Sequence, residues 1–417
     1  MSRAADPVAF QVVPARVLIA PDKFAGSATA AQVADALAAG LARGRPGLAL
    51  RRCPVADGGE GTVAAALAAG FERVPVTVRG PTGDPVPTAY ARRGHVAVVE
   101  LADACGRPQL AGGRPAPMTA SSAGAGDVAR AAIAAGAREV VLAVGGSAST
   151  DGGTGLLQAL GVSVLDSDGS PVTPGGAGLV TVAALGRVPP DLAGVRFVLA
   201  ADVDSPLTGP RGAAAVFGPQ KGAGTAQVAA LDDGLRHWAD VVAAATGAEH
   251  RDQPGAGAAG GVGFAALAVL GATRRPGAEI VLELIGFEAR LAGVDLVVTG
   301  EGRLDRSTLT GKAVARVGMV AERAGTPVVA VCGRDELSVA EARAAGLARV
   351  VALSRWQPDP ARSMAEAEQL LEEAGAYLGR EWDALILNGR AAARSGEQEL
   401  GDGRHTDQHD DRSQRHR

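Results

Sequence analysis

Acidic residues follow the apolar strands of this sequence at five separate strand-to-helix junctions, most of them beside glycine. These acids are Asp22, Asp57 with Glu60, Asp151, Asp202 with Asp204, and Glu301 with Asp305. The carboxyl ends of parallel strands meet at one edge of an α/β sheet, so we expect these side chains to face a common crevice. A single acid at such a junction is ordinary helix capping. Five junctions favour chemistry, because carboxylates hold Mg²⁺ and accept a proton from a reacting hydroxyl.

Lysine is almost absent, which makes the few lysines informative. Lys23, Lys221 and Lys312 are the only ones in a pool of 41 basic residues, and each lies in a glycine-containing stretch. A compact ammonium group is not replaced by a planar guanidinium at a tight phosphate site, although a solvated surface position would be the plain alternative. Acids, lysines and glycine turns together meet the needs of phosphoryl transfer, which requires cradled phosphates, a bound metal ion and a base.

The stretch 138–161 shows how these residues are positioned. The apolar run 140–144 predicts a buried strand, and the run 156–160 predicts a helix that ends at Gly161. The glycine-rich turn between them aims backbone N–H groups and a helix amino terminus at an anion. We therefore expect the turn to cradle phosphates, although a tight turn built only for close packing has the same composition. The predicted cradle consists of Gly145, Gly146, Ser147 and Gly152.

The remaining chain predicts an α/β protein of two domains. Apolar runs at both ends of the sequence alternate with helices, so residues 16–75 and 292–385 are expected to form one split Rossmann-like domain with a parallel sheet. Residues 76–291 are expected to form an inserted mixed α/β domain, which begins with an antiparallel hairpin near Pro81–Asp84. The polar stretch 396–417 is expected to be a disordered tail.

Composition excludes several classes of protein. The net charge of −4 gives no electrostatic case for nucleic acid binding. No apolar run approaches the roughly 20 residues that span a bilayer, and the first residues do not resemble a signal peptide. Three widely spaced cysteines indicate reduced thiols, so we expect a cytoplasmic protein with small-molecule partners. A homo-oligomer remains open.

Familiar catalytic motifs do not fit. Gly311-Lys312 is followed by Ala313 and lacks the earlier glycine of a P-loop, and Gly261-Val262-Gly263 does not follow a strand as a dinucleotide fingerprint would. No nucleophile elbow is present, and no histidine lies in a motif, which argues against a Ser-His hydrolase.

Six motifs in this order resemble those of the bacterial two-domain glycerate kinases, from about residue 16 to about residue 380. They are APDKFAGS, PVADGGEGT, AVGGSASTDGGTGLLQALG, ADVDSPLTGPRGAAAVFGPQKGA, GAAGGVGF and VTGEGRLDRSTLTGKA. The resemblance implies transfer of the γ-phosphate of ATP to D-glycerate with Mg²⁺, usually giving 2-phosphoglycerate. It also implies two α/β domains with the active site in the cleft between them. Ala25, Thr150, Ala201 and Ser307 depart from the residues that the family usually carries at those positions.

The candidate roles follow from the motifs. Asp202 is the expected base at the glycerate hydroxyl, with Asp151 as its rival, and Lys221 and Lys312 are expected to neutralise the transferred phosphoryl group. Asp204 and Glu301 are the candidate magnesium ligands. Arg303 or Lys23 is expected to bind the glycerate carboxylate. The other expected substrate and nucleotide contacts are Asp22, Ser27, Asp57, Gly58, Gly59 and Glu60.

Two alternatives stay open at this point. One is a kinase of the same architecture that acts on another small hydroxy acid or gives 3-phosphoglycerate. The other is a non-catalytic sensor of glycerate or nucleotide, which would not need a base and a metal site together.

Overall fold

The computed structural model describes residues 14–387, and the predicted tail at 396–417 lies outside them. The strands are β1 Arg16–Pro21, β2 Ala49–Arg52, β3 Glu72–Arg79, β4 Pro85–Arg93, β5 Val96–Glu100, β6 Glu139–Ala143, β7 Val164–Leu165, β8 Ala184–Leu185, β9 Arg196–Ala200, β10 Thr273–Arg275, β11 Leu296–Leu304, β12 Val328–Asp335 and β13 Arg349–Ala352. The α-helices are α1 Ala30–Gly44, α2 Thr62–Ala68, α3 Leu101–Cys105, α4 Ala123–Ala134, α5 Thr154–Ala159, α6 Ala213–Phe217, α7 Thr225–Thr246, α8 Val262–Ala268, α9 Gly277–Leu284, α10 Phe287–Arg290, α11 Ala313–Arg323, α12 Val339–Ala344, α13 Pro360–Ala365 and α14 Ala367–Arg380. The fold is α/β, as the sequence predicted.

The described chain divides into two compact units. Unit 1 consists of residues 14–52, 288–306 and 317–387, and unit 2 consists of residues 53–287 and 307–316. Unit 2 therefore begins about twenty residues earlier than the sequence suggested. No helix in the described chain is both long and apolar enough to cross a bilayer.

Unit 1 is built on a parallel sheet of five strands in the order β13-β12-β11-β1-β2. Helix α1 begins at a capping box in which Thr29 and Gln32 bond each other's backbone N–H groups. It packs closely on α14, because a Cβ on Gly40 would lie only 2.0 Å from the carbonyl oxygen of Glu372. Asp22 directly follows β1 of this sheet, and Glu301 lies within β11.

Unit 2 is built on a mixed sheet of six strands in the order β10-β9-β6-β5-β4-β3. Strands β5, β6, β9 and β10 are parallel to one another, and β3 and β4 add an antiparallel hairpin at one edge. The hairpin turns at Pro81–Asp84, where the sequence predicted it. Strands β5, β6 and β9 are largely buried, which explains their nearly continuous apolar sequences, whereas β10 is a short polar strand at the other edge.

The segment 53–75 belongs to unit 2 because its apolar residues pack on the sheet of that unit. Val63 and Ala66 of α2, together with Phe71, pack against the buried faces of β5, β6 and β9. The amino terminus of α2 is held by Glu100, whose carboxylate accepts hydrogen bonds from the N–H groups of Gly61 (2.9 Å) and Val63 (3.0 Å). This contact fixes the loop that carries Asp57 at the carboxyl ends of the parallel strands.

Candidate active site

Unit 2 contains a cavity of about 230 Å³ at the carboxyl ends of its parallel strands β6 and β9. This is the position at which open α/β sheets bind ligands. The volume is below the range of pockets that take drug-sized ligands, so it suits a small molecule. The lining residues are Asp57, Gly58, Gly59, Arg107, Val144, Gly145, Gly146, Ser147, Ala200, Ala201, Asp202, Val203, Phe217, Gln220, Lys221, Ala258 and Ala259.

The glycine turn after β6 forms one wall of this cavity. Gly145 approaches the loop after β2 so closely that a Cβ on it would lie 2.6 Å from the Cα of Gly59. Gly146 has a φ of 70°, in the left-handed region that glycine adopts without strain. Three of the four residues of the predicted cradle, Gly145, Gly146 and Ser147, therefore line the cavity.

Lys221 is a buried cation in the cavity wall. Its side chain is only 4% exposed. Its Nζ donates to the Ser147 hydroxyl at 2.7 Å and to the Ser149 carbonyl oxygen at 2.5 Å, and both acceptors are neutral. Burial lowers the pKa of Lys221 from 10.5 to about 7, more than the nearby Asp151 raises it. No carboxylate of the described residues lies within ion-pair distance of this ammonium group, and an anionic ligand would supply a close counter-ion.

Asp202 lines the same cavity on the chain that leaves β9. Its Oδ1 accepts a hydrogen bond of 2.8 Å from the Gly277 N–H, and its Oδ2 is buried without a hydrogen-bond partner in the described chain. Burial raises the pKa of this carboxyl from 3.8 to about 6, the Gly277 N–H lowers it, and the neighbouring Asp57 raises it further. An oriented carboxylate with one unused oxygen and a raised pKa has the properties of a general base.

Arg107 and Ala259 also line the cavity, although neither was predicted from the sequence. Arg107 follows α3, and its backbone N–H donates to the Gly146 carbonyl oxygen at 3.1 Å, which ties it to the glycine turn. Ala259 has a φ of 51°, unusual for a residue with a Cβ. Both positions depend on pairings between segments far apart in sequence. The only local signal was the glycine-rich run around Ala259.

Asp151 and Gly152 do not line the cavity, so the structure does not place them where the sequence predicted. The Asp151 carboxylate is fully buried and accepts hydrogen bonds from the Ser122 N–H (2.7 Å) and hydroxyl (2.8 Å) and from the N–H groups of Gly153 (3.2 Å) and Gly155 (3.3 Å). Gly152 lies against Trp238, which donates its indole N–H to the Gly152 carbonyl oxygen at 3.0 Å. Both residues hold the turn, and their predicted roles toward a ligand stay predictions.

Other predicted contacts of unit 2 also lie outside the cavity. Glu60 is exposed although its neighbours Asp57, Gly58 and Gly59 line the wall. Lys312 is half-buried near the start of α11 and does not line the cavity. Asp204 is 80% exposed and forms an ion pair of 2.6 Å with Arg274.

Five predicted site residues belong to unit 1. Asp22 is buried and its Oδ1 accepts a hydrogen bond of 2.6 Å from the Lys23 N–H, while Ser27 is half-buried. Glu301 is buried within β11, and the exposed Arg303 forms ion pairs with Glu336 (2.7 Å) and Asp305 (3.6 Å). Their roles toward a substrate stay predictions.

The candidate magnesium ligands do not fit a preformed metal site. Among residues 14–387 there is no group of three or more His, Cys, Asp or Glu side chains that could hold a metal ion. Asp204 is already paired with Arg274. Neither Asp204 nor Glu301 is therefore assigned to magnesium.

A cavity with a buried cation and an oriented carboxylate, set at the ends of parallel strands, is typical of an α/β enzyme that acts on a small anionic substrate. The comparisons with known proteins are more specific. The model of the glycerate kinase family matches residues 17–383, and the chain belongs to that family. The family resemblance seen in the motifs is thus confirmed.

The individual relatives agree with this family assignment. The chain is 42% identical over 323 residues to a glycerate kinase of Bacillus subtilis (strain 168), which covers 76% of this chain and 85% of that protein. It is 38% identical over 324 residues to a glycerate 2-kinase of Escherichia coli (strain K12), with the same coverage. The crystal structure of a glycerate kinase 2 from Salmonella typhimurium LT2 superposes with a TM-score of 0.74 at 35% identity, covering 93% of this chain and all of that one.

Proposed function

We propose that this protein is a glycerate kinase that transfers the γ-phosphoryl group of ATP to a hydroxyl of D-glycerate and gives 2-phosphoglycerate. The observation that carries the proposal is the cavity of unit 2, where the buried ammonium of Lys221 and the unpartnered Oδ2 of Asp202 meet the needs of an anionic acceptor with a reacting hydroxyl. Membership of the glycerate kinase family supports the same reaction.

The base in this reaction is Asp202. The Gly277 N–H holds Oδ1, so Oδ2 is the oxygen that accepts the proton of the glycerate hydroxyl. As that proton leaves, the hydroxyl oxygen forms a bond to the γ-phosphorus, the bond from phosphorus to the bridging oxygen breaks, and ADP departs with the electron pair. The glycine turn supplies N–H donors for the charge on the transferred group.

ATP enters this reaction as its magnesium complex in our proposal. Mg²⁺ keeps several waters and is held in kinases by one or two carboxylates together with the substrate phosphates, so it can arrive with the nucleotide rather than wait in a protein cage. The metal supplies charge neutralisation on the phosphates. We assign no residue of this chain to the metal ion.

The test is release of ADP from Mg²⁺-ATP, measured with and without D-glycerate. We expect release that depends on glycerate, with a low rate when water is the only acceptor. Asp202→Asn should lower the glycerate-dependent rate by about 10²- to 10⁴-fold, and Asp166→Asn, on an exposed turn of the same unit, should leave it unchanged. Equal release with and without glycerate would contradict the proposal, and activity with another small hydroxy acid alone would redirect it to that acceptor.

A further inference from the structure

Two cationic side chains line the cavity without a carboxylate partner. Lys221 bonds only neutral oxygens. The guanidinium of Arg107 makes no ion pair and no hydrogen bond with any residue in the described range 14–387. Most other arginine side chains around this unit are paired, as Arg274 is with Asp204 and Arg79 with Asp127. Two unpaired cations at one cavity are therefore a feature of the site.

These two cations line the same cavity beside the turn that contains Ser147, whose hydroxyl accepts a hydrogen bond of 2.7 Å from Lys221. The charge of Arg107 also lowers the pKa of Lys221. Lys221 is buried and Arg107 is exposed, and an anion bound between them would offset the repulsion of the two like charges. Arg107 is fixed there by its backbone N–H, which bonds the Gly146 carbonyl oxygen, and by a β-bridge from Gly106 to Ser147.

The acidic side chains of the cavity form a second group. Asp57 influences the pKa of Asp202, as a near neighbour of like charge does. Within residues 14–387, Asp202 forms no ion pair with Arg107 or Lys221, and its Oδ1 accepts a hydrogen bond from the Gly277 N–H. The cavity thus offers a pair of cations and, apart from it, a pair of carboxylates. A hydroxy acid has the matching arrangement, with an anionic carboxylate and a hydroxyl that donates a proton.

We propose that Arg107 and Lys221 bind the carboxylate of the acceptor, and that this pair selects hydroxy acids over neutral polyols. The proposal rests on the kinase function proposed above. It replaces two expectations from the sequence. Arg303 is engaged by Glu336 and Asp305, and Lys221 acts on the acceptor rather than on the transferred phosphoryl group.

The selectivity follows from the cost of an unpaired buried charge. A guanidinium binds a carboxylate through parallel N–H donors, and the ammonium adds a point charge. A neutral polyol such as glycerol would leave the buried ammonium of Lys221 without a counter-ion, so it binds weakly. The chemically similar alternative is a phosphate oxygen of the nucleotide, and the measurements below separate the two.

The experiment compares Arg107→Gln and Arg107→Lys with the wild type, using Arg187→Gln as the matched control. Arg187 is an exposed arginine of unit 2 that does not line the cavity. Michaelis constants are measured separately for D-glycerate and for Mg²⁺-ATP, and glycerol serves as the neutral acceptor. We expect Arg107→Gln to raise the KM for glycerate by roughly 10- to 100-fold. The KM for ATP should change less than about twofold, and the preference for glycerate over glycerol should fall by the same factor as glycerate binding.

Arg107→Lys should recover part of the glycerate affinity because it keeps the charge, and Arg187→Gln should match the wild type. An unchanged KM for glycerate in Arg107→Gln would overturn the proposal. A rise confined to the KM for ATP would overturn it as well, since the pair would then hold a nucleotide phosphate.

A binding measurement separates this proposal from the kinase function. Calorimetric titration with glycerate alone needs no turnover. If the wild type binds glycerate without phosphorylating it, the kinase function fails, and weaker binding to Arg107→Gln still supports the carboxylate site. Equal binding by the two proteins, or no binding by the wild type, overturns the site.

Discussion

Removing the ammonium of Lys221 should make the ligand-free protein more stable while it damages function. Lys221 is 4% exposed and has no counter-ion within the described chain. The change that tests this is Lys221→Met, which keeps an unbranched side chain of similar length and removes the charge. Binding sites in natural proteins often contain groups that destabilise the ligand-free protein, because the bound ligand compensates for that cost.

The magnitude follows from the pKa of Lys221, which burial lowers from 10.5 to about 7. At about 1.36 kcal/mol for each unit of pKa, keeping this lysine charged costs the folded protein about 5 kcal/mol below pH 7. The substitution also leaves the buried Ser149 carbonyl oxygen without its donor, at a cost of about 1–3 kcal/mol. We therefore expect Lys221→Met to be more stable than the wild type by about 2–4 kcal/mol at pH 6.

The stability difference should depend on pH in a defined direction. Between the folded pKa of about 7 and the unfolded value of 10.5, the unfolded chain binds a proton that the folded protein lacks, so this lysine makes wild-type stability rise with pH. The advantage of Lys221→Met should therefore shrink by about 3 kcal/mol between pH 6 and pH 9. The free-energy cost of the lost hydrogen bonds is present at both pH values, so it cancels when the two stability differences are compared.

Urea unfolding of the ligand-free proteins at both pH values measures the effect. Replacing Trp356 and Trp382 of unit 1 by Phe leaves the buried Trp238 as the fluorescence probe of unit 2. Lys312→Met is the matched control, because that lysine is only half-buried. A Lys221→Met protein that is less stable than the wild type at pH 6, or whose stability difference is the same at pH 9, would refute the reasoning.

Two further predictions concern the acids of unit 2. Because the pKa of Asp202 is about 6, kcat/KM should fall tenfold per pH unit below pH 6 as the base becomes protonated. Asp202→Asn should lower kcat by about 10²- to 10⁴-fold and remove this pH dependence. A pH profile of the same shape in the variant would contradict the assignment of Asp202 as the base. Asp151→Asn should destabilise unit 2 by about 3 kcal/mol. The amide NH₂ group of the asparagine would face backbone N–H groups that now donate hydrogen bonds to the carboxylate. The melting temperature measures this loss, and an unchanged value would show that the carboxylate does not hold the turn.

Local sequence patterns predicted several of the strands, helices and turns. The strand at 140–144 and the helix after it appear as β6 and α5, and the hairpin at 81–84 joins β3 to β4. These elements follow from apolar runs and turn residues, which act over short distances. The unit boundary was less predictable, because the packing of Phe71 and α2 on the sheet is a long-range contact.

The site was predicted in part for the same reason. Asp57, Asp202, Lys221 and the turn residues were identifiable because each lies next to a strand end or in a glycine motif. Arg107 was not, since its sequence neighbourhood carries no motif and only its pairing with Gly146 brings it to the cavity. Asp151 looks the same as Asp202 in sequence, and only its five hydrogen bonds show that its carboxylate holds the turn.

The most direct test of the proposed reaction is phosphorus NMR of the product formed from Mg²⁺-ATP and D-glycerate. We expect one phosphomonoester signal, coupled to the single proton at carbon 2, that grows as the γ-phosphate signal of ATP declines. A product coupled to the two protons at carbon 3 would contradict the proposed 2-phosphate. No phosphomonoester at all, with ATP intact and the protein folded, would contradict the kinase itself.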